Sequence, residues 1–280
     1  MVVGQSDGKG IVNNRYGYVR IEVEMVEVLE ARSNPFRGIL PKPEALPEAP
    51  DIFRQQLQHS LQVWGADGYL VVWLEVPLKR AALIPVAVEA GFTFHHSSPD
   101  YLMMTHCLVE SAFVPPYATH YIGAGGVVIN EQRELLVVSE RYRSRRGPSY
   151  KLPGGALHPG EHIVDGVMRE VLEETGVQTR FDALACFRHW HGYRHGKSDI
   201  YFVCRLSPLS RQITMQADEI AECLWMPVEA FLNSADVHAF NKEIVRAALE
   251  SHGLAPALIE GFQDDGMREF FMPTFRGLTP

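Results

Sequence analysis

The chain has 280 residues, 46% hydrophobic and 21% charged, which is the composition of a folded globular protein and excludes a disordered or fibrous class. Its length favours two domains, because a domain commonly holds roughly 100 to 200 residues. The formal net charge of −8 argues against nucleic acid and anionic membranes as partners.

The cysteines and the amino terminus indicate the cellular compartment of the protein. The four cysteines lie far apart, with neither a CxxC motif nor the Cys/His spacing of a zinc site: Cys107, Cys186, Cys204 and Cys223. This pattern is typical of a reduced intracellular protein. The amino terminus has no basic region followed by an apolar run, and no stretch of about 18 apolar residues occurs. We therefore expect a soluble, cytoplasmic protein.

The first part of the chain alternates strand and helix patterns. Residues 19–26, VRIEVEMV, alternate apolar and charged side chains, as a half-buried strand does. Residues 51–68 carry apolar side chains at helical spacing and end in glycine. The predicted order is a strand at 19–26, a helix at 51–68, a buried strand at 69–76, a helix at 79–90, and strands near 92–96 and 101–107. Residues 1 to about 108 are thus expected to form an α/β unit.

Two prolines in VESAFVPPYATH, residues 109–120, interrupt this pattern. We therefore predict an amino-terminal domain over residues 1–110, a second domain over 111–258 and a tail over 259–280. Strands are expected at 124–130, 134–140, 182–190, 199–206 and 221–227, and helices near 228–232 and 238–253. The tail mixes glycine, proline and aspartate with aromatic residues, and we expect it to pack on a partner surface.

The segment GGALHPGEHIVDGVMREVLEETGV, residues 154–177, gathers glutamates on one predicted helix. A helix over 162–175, ending at Gly176, would bury an apolar stripe: Val164, Val167, Met168 and Val171. Glu170, Glu173 and Glu174 are then expected on or near the opposite face.

These like charges are unfavourable unless something positive binds them. Glu170 and Glu174 repel each other by about 0.2 to 0.5 kcal/mol, and the negative end of the helix dipole adds about 0.3 to 1 kcal/mol for each. Arg169 can pair with Glu173 four residues on, whereas Glu170 and Glu174 have no such local partner. Two carboxylates one turn apart suit Mg²⁺ or Mn²⁺. The alternative is a solvated acidic face.

The same segment resembles the Nudix box: Gly, five residues, Glu, seven residues, Arg-Glu, apolar, any, Glu-Glu, any, Gly, apolar. Every defined position is filled, by Gly155, Glu161, Arg169, Glu170, Val171, Glu173, Glu174, Gly176 and Val177. The expected strand, loop and helix context agrees with the motif.

This resemblance implies a Nudix α/β/α sandwich with a mixed sheet, and hydrolysis of a nucleoside diphosphate derivative by a metal-activated water. It implies that Glu170 and Glu174 are the main metal ligands and that the Gly154 carbonyl completes the metal shell. Glu173 becomes a further ligand or the partner of Arg169, and Glu161 orders the loop or is an outer ligand. A carboxylate must also accept a proton. In several relatives it follows the box, and Glu219 in QADEIAECLWMP occupies a similar place; a plain turn residue is the alternative.

Two basic segments are candidates for binding the substrate. RYRSRRGPSY precedes the box and includes Arg146, although a solvated flexible loop is the more common explanation, because nothing in the spacing selects a ligand. FRHWHGYRHGKSDIYFVC places Arg188, His191 and Lys197 beside aromatic residues that can stack on a base, with an aromatic hairpin as the alternative. The histidines in this segment show no convincing zinc pairing.

Beyond the box, residues 10 to 235 resemble one Nudix subfamily, which includes plant ADP-ribose/NADH pyrophosphatases and the animal antisense basic fibroblast growth factor protein. The stretches that carry this resemblance include AVEAGFTFHHSSPDYLMM and ECLWMPVEAF. It implies a smaller acetyltransferase-like α/β domain before the Nudix domain, and a homodimer. The amino-terminal domain lacks the glycine-rich loop of active acetyltransferases, so acyl transfer is not expected there.

The resemblance thus implies a Mg²⁺-dependent pyrophosphatase, a hydrolase acting on acid anhydrides, with ADP-ribose or NADH as substrate and AMP as product. Two alternatives stay open: a nucleotide-sensing regulatory protein with weak hydrolysis, and an enzyme acting on coenzyme A or a nucleoside triphosphate. The residues do not decide among these substrates, because loop geometry sets the shape of a pocket.

Overall fold

The computed structural model describes residues 11–14, 17–20, 26–142, 149–262 and 266–273. The chain divides into two compact units, Met1–Ala118 and Thr119–Pro280. Within the described ranges, no helix is both long and apolar enough to cross a membrane.

The first unit is a mixed α/β domain. Its strands are β1 (Ile11–Asn14), β2 (Gly17–Arg20), β3 (Ala31–Ser33), β4 (Gly38–Pro41), β5 (Val71–Pro77), β6 (Thr93–Ser97) and β7 (Tyr101–Cys107), and its helices are α1 (Pro50–Ala66) and α2 (Ile84–Glu89). The main sheet has the order β3-β4-β5-β7-β6, and β1 pairs with β2. Phe53 and Leu57 of α1 are completely buried in one core with Val72, Leu74 and Met104. The apolar stripe predicted for α1 therefore covers the sheet.

In this unit one hairpin was not predicted, one predicted helix differs from the structure, and one predicted strand lies largely outside the described residues. The hairpin formed by β3 and β4 was not predicted, because three or four residues carry too little periodicity. The helix predicted at 79–90 is a 3₁₀ helix, Leu78–Leu83, followed by α2. Pro85 in the first turn of α2 lacks the N–H that a continuous helix needs, and Arg80 has non-helical torsion angles. The strand predicted at 19–26 falls largely on residues 21–25, outside the described residues.

The second unit contains the acidic segment. Its strands are β8 (His120–Val128), β9 (Glu134–Glu140), β10 (Tyr150–Lys151), β11 (Gly154–Ala156), β12 (Thr179–Trp190), β13 (Ser198–Pro208), β14 (Ile220–Pro227), β15 (Leu254–Pro256) and β16 (Phe271–Pro273). Its helices are α3 (Ile163–Thr175), α4 (Val228–Asn233) and α5 (Ala239–Glu250). One sheet has the order β11-β8-β13-β12-β15-β16, and a smaller one has β10-β9-β14. Because β13 runs parallel to β8 while the other neighbours are antiparallel, the larger sheet is mixed, as predicted.

Apolar contacts fix α3 against the larger sheet. Val167 and Val171 of the helix are completely buried in one cluster with Ala124 and Val128 of β8 and Leu206 of β13. Burial of this stripe sets the rotation of α3 about its axis. The glutamates that follow in the sequence therefore have fixed directions relative to β8 and β11.

The described part of the carboxy-terminal segment belongs to the same sheet. Strand β16 pairs antiparallel with β15, from Leu254 opposite Pro273 to Pro256 opposite Phe271. The ring of Phe271 lies 5.7 Å from that of Phe181 and packs against the cluster that contains Val167. The segment thus covers part of the core beneath α3.

Candidate active site

Helix α3 ends as its sequence predicts. Gly176 adopts a left-handed conformation with φ of 73°, and its N–H bonds the Leu172 carbonyl. A Cβ at this position would also meet the backbone of Thr214, whose N–H donates to the Thr175 carbonyl at 2.8 Å. Glycine is therefore required both for the turn and for the close packing of the next loop.

Glu174 does not lie on a solvated face. Its side chain is 8% exposed, because position 174 follows Val167 by seven residues and Val171 by three, which returns it to the buried side of the helix. Oε2 accepts a hydrogen bond of 2.9 Å from the Gly154 N–H, and Oε1 lies 3.7 Å from Lys151 Nζ. Burial raises the pKa of Glu174, while Lys151 and the Gly154 amide oppose the rise and Glu170 adds to it. The expectation that Glu174 lies on or near the face opposite the apolar stripe was wrong.

Glu170 lies directly over the motif glycine. A Cβ built on Gly155 would be 2.5 Å from Oε2 of Glu170, so only glycine leaves room for this carboxylate between α3 and β11. The other oxygen, Oε1, accepts a hydrogen bond of 2.9 Å from Arg169 Nη1. The prediction that Glu170 has no nearby cationic partner was therefore wrong: adjacent side chains can meet here because Arg169 folds back across the loop.

Arg169 is the centre of an ion-pair network. It binds Glu161 through two parallel contacts, Nε to Oε1 at 2.7 Å and Nη2 to Oε2 at 2.8 Å. Nη1 also reaches Glu173 Oε2 at 3.0 Å, which confirms the predicted pairing four residues apart. The guanidinium holds the pKa of Glu161 at about 2, with a further bond from the His158 N–H. Glu161 thus ties the loop before α3 to the helix, whereas Glu173 is half exposed.

The donor set fits a hard divalent cation only in part. In the described portion of the chain, no three His, Cys, Asp or Glu side chains are grouped so that they could hold a metal ion. Glu170 and Glu174, however, are close enough for the charge of Glu170 to raise the pKa of Glu174. The space that a Cβ would fill at Gly155 adjoins a Glu170 oxygen. Two carboxylates are the usual protein contribution to Mg²⁺, with water and substrate phosphate as the remaining ligands. The Gly154 amide contacts Glu174; the ligand role of its carbonyl stays a prediction.

Arg188 lies in an aromatic environment on the same sheet. Its Nη2 donates to Asp199 Oδ2 at 2.9 Å, and its guanidinium carbon lies 5.0, 5.3 and 5.8 Å from the rings of Tyr201, Trp190 and Phe240. Among the described residues, no hydrogen-bond partner is seen for its buried Nε. The sequence placed Arg188 correctly beside aromatic residues but did not identify the buried Asp199 as its partner.

Tyr201 connects this aromatic environment to Glu170 and Glu174, the acidic cluster of the site. The sequence did not predict this link. Its ring lies over Gly123, its Cα partner on β8, and its hydroxyl approaches Gly125 and Gly154 so closely that a Cβ at either would collide with it. Burial first, and then the charge of Glu174, raises the pKa of the phenol well above its usual range. Gly123, Gly125 and Gly154 are the sequence signal for a large side chain packed over them.

The other predicted binding residues are more peripheral. His191 is exposed, and its Nδ1 lies 2.8 Å from Ser198 Oγ. Lys197 is half-buried in the turn between β12 and β13, where its N–H bonds the Arg194 carbonyl at 3.1 Å. Arg146 lies outside the described residues.

Glu219 is exposed in the turn before β14, where its carbonyl accepts a bond of 2.8 Å from the Arg141 N–H. The same loop is joined to the end of α3, because the Gln216 N–H donates to the Glu174 carbonyl at 3.2 Å. Glu219 is thus a turn residue on a loop bonded to the acidic helix, and its role as the base stays a prediction.

Comparison with known proteins agrees with this geometry. A family model described as Nudix hydrolase domain matches residues 29–108, and one described as NUDIX domain matches residues 119–248. Nudix hydrolase 8 of Arabidopsis thaliana is 38% identical over 211 residues, 73% of this chain and 56% of that protein. Nudix hydrolase 2 of the same plant is 42% identical over 202 residues, 71% of this chain and 72% of that protein.

An animal relative matches over a longer stretch. Nucleoside diphosphate-linked moiety X motif 6 of Homo sapiens is 33% identical over 254 residues, which are 88% of this chain and 80% of that protein. The similarity to plant and animal relatives thus extends through both units, as the resemblance implied. With the box complete and its side chains gathered around Arg169, the chain belongs to the Nudix hydrolase family.

Proposed function

We propose that the protein hydrolyses the pyrophosphate bond of a nucleoside diphosphate derivative, ADP-ribose or NADH, in a Mg²⁺-dependent reaction that releases AMP. One observation carries this proposal: Glu174 is buried beside Glu170, although burial and the second charge both disfavour its ionised form. Buried carboxylates placed side by side destabilise a fold, so such a pair is typical of a functional site, and a bound divalent cation would compensate both charges.

The roles proposed for the side chains follow from their contacts. Glu170 and Glu174 would hold Mg²⁺, which when bound neutralises charge on the phosphates and lowers the pKa of water. Arg169 orients Glu170 and Glu173 through Nη1 and fixes the loop through Glu161. Glu219 is proposed as the proton acceptor, with Glu173 as the second candidate because it is half exposed.

Arg188 and its aromatic neighbours support a nucleotide substrate. A guanidinium over aromatic rings binds phosphate as well as the flat face of a base. Trp190 is exposed and is available for stacking, while Tyr201 stays neutral because burial raises its pKa. His191 and Lys197 flank this surface in the turn between β12 and β13. We propose that the base and ribose bind here and the diphosphate reaches toward α3.

A nucleotide sensor with slow turnover is the second candidate. It is favoured by Arg169 and Lys151, which occupy oxygens of Glu170 and Glu174 that a metal would need. Measured turnover separates the two proposals, because saturable nucleotide binding without significant hydrolysis supports the sensor.

The test is a substrate panel with Glu174→Gln as the key variant. ADP-ribose, NADH, coenzyme A and nucleoside triphosphates are incubated with Mg²⁺ or with EDTA, and mass spectrometry identifies the products. Glu174→Gln should lower turnover by at least about a hundredfold, since it removes a charged metal ligand. It should leave the thermal stability equal or higher, because the raised pKa of Glu174 means that its charge disfavours folding near neutral pH.

Glu250→Gln is the matched control, since Glu250 is an exposed glutamate at the end of α5. It should keep wild-type turnover. Hydrolysis that persists in EDTA and in Glu174→Gln would refute the metal-dependent mechanism.

A further inference from the structure

The first turn of α3 receives its cap from a residue distant in sequence. His162 occupies the N-cap position, but its side chain makes no capping hydrogen bond. The first N–H groups of a helix have no partner within the helix. Here Glu269 accepts two of them, with Oε2 at 2.9 Å from the Ile163 nitrogen and Oε1 at 3.1 Å from the Val164 nitrogen. Its negative charge also lies at the positive end of the helix dipole.

Glu269 is held in place by the strand that follows it. Strand β16 begins two residues later and pairs with β15 in the larger sheet. The Ala257 N–H donates to the Phe270 carbonyl at 2.9 Å, and Phe271 packs into the core beneath α3. The carboxylate of Glu269 therefore reaches the helix from an anchored backbone, and its position is half-buried.

The two ends of α3 are thus bound to different parts of the unit. At the far end, Gly154 bonds Glu174 and Thr214 bonds the Thr175 carbonyl. Glu170 follows Ile163 by seven residues, about 10 Å along a helix axis. Because the hydrogen-bonded backbone is stiff over two turns, a displacement of the first turn also displaces the carboxylates of the last turns.

We propose that Glu269 is a positioning residue of the hydrolase: by binding the Ile163 and Val164 amides, it fixes α3 and thereby the placement of Glu170 and Glu174. This inference rests on the metal-dependent hydrolysis proposed above. It gives the carboxy-terminal segment a role in the reaction through the helix that carries the acidic cluster.

The experiment compares three variants of the full chain. Glu269→Gln keeps the size of the side chain but loses its charge and one acceptor, whereas Glu269→Asp keeps the charge with a shorter reach. Glu260→Gln is the matched control, because Glu260 is an exposed glutamate of the same segment. Mn²⁺ binding is measured by electron paramagnetic resonance, kcat and KM with the nucleotide that the panel identifies, and folding by thermal unfolding.

Glu269→Gln should weaken Mn²⁺ binding and lower kcat by about threefold to tenfold. This is less than the roughly tenfold to hundredfold loss typical of a group that contacts a metal ligand directly, because Glu269 acts through the helix backbone. The KM for the nucleotide should stay unchanged, Glu269→Asp should recover part of the loss, and Glu260→Gln should match wild type. Wild-type Mn²⁺ binding and kcat in Glu269→Gln would overturn the inference and leave the hydrolase proposal intact. A loss of kcat explained entirely by a smaller folded fraction would also overturn it.

If wild type hydrolyses no nucleotide in the panel, the proposed function is refuted. Amide hydrogen exchange then tests separately whether Glu269 fixes α3. Faster exchange of the amides of residues 170–175 in Glu269→Gln would support it. A change confined to residues 163–166 would overturn it, since the cap would then affect only its own turn.

Discussion

Arg169 is the residue on which the acidic side chains of the site converge. One guanidinium contacts Glu161, Glu170 and Glu173, and it also donates to the Ala156 carbonyl at 3.3 Å. Because its donors lie in a rigid plane, the carboxylates around it have fixed directions. Lysine has a single ammonium group and cannot reproduce this arrangement.

The Glu161–Arg169 pair makes a prediction for the pH dependence of stability. The pKa of Glu161 is about 2 in the folded protein, compared with 4.5 for an ordinary glutamate. A lowered pKa stabilises the folded state above pH 4.5, and this stabilisation is lost as the pH falls from 4.5 toward 2. In EDTA, Glu161→Gln should therefore lower the free energy of unfolding by about 2 kcal/mol at pH 7, the value of a charged hydrogen bond.

Urea denaturation of wild type and Glu161→Gln at a series of pH values measures this difference. It should be constant from pH 7 to 5 and shrink below pH 4.5. Glu131→Gln, at an exposed turn position, is the control. A difference that does not change with pH would contradict the assigned ion pair.

The box residues show what sequence can and cannot predict about a site. The pairing of Arg169 with Glu173 follows from helical spacing alone and is present. The environment of Glu174 was misjudged because the helix was divided into an apolar and an acidic face, although its spacing from Val167 and Val171 places it on the buried face. Lys151 was missed since it approaches Glu174 from β10, and no local pattern encodes that pairing.

At the scale of elements, most long periodic segments were predicted well, and strands of two or three residues were not. The strand at 134–140 coincides with β9, and the helix at 162–175 with α3 to within one residue. The strands β10, β11, β15 and β16 have two or three residues each and were not predicted. So short a segment has no periodicity, and its conformation is set by the strand beside it.

Because β11 lies close to α3, we expect Gly155→Ala to lower turnover much more than it lowers stability. The added Cβ would lie 2.5 Å from Glu170 Oε2, and the charged side chain must move because β11 is held against β8. We expect turnover to fall by at least about tenfold, as when the surroundings of a metal ligand change. The cost in stability should be about 1 to 2 kcal/mol, typical of a local steric change.

Gly65→Ala is a suitable control for this prediction, because a Cβ at that helical position of α1 meets open space. It should leave turnover unchanged and stability equal or slightly higher, since alanine favours a helix. Steady-state kinetics and thermal unfolding of the two variants measure both effects. Full activity in Gly155→Ala would show that Glu170 need not occupy the position over β11.

At the scale of the whole molecule, each unit has its own apolar core. In the first unit, Phe53 is completely buried among residues of β5 and β7, and in the second, Phe231 is completely buried among residues of β8, β9 and α5. The acidic cluster lies entirely within the second unit. A ligand that binds only the folded form of one unit stabilises that unit by mass action.

Calorimetry of the full chain should therefore assign each thermal transition to one unit. Phe53→Leu and Phe231→Leu each remove buried apolar volume, at a cost of about 1 to 2 kcal/mol, and should lower different transitions. Mn²⁺ should raise only the transition that Phe231→Leu lowers, and Glu174→Gln should abolish that shift. If both substitutions lower one common transition, the two cores do not unfold separately. If Mn²⁺ raises the transition that Phe53→Leu lowers, cation binding is not specific to the second unit.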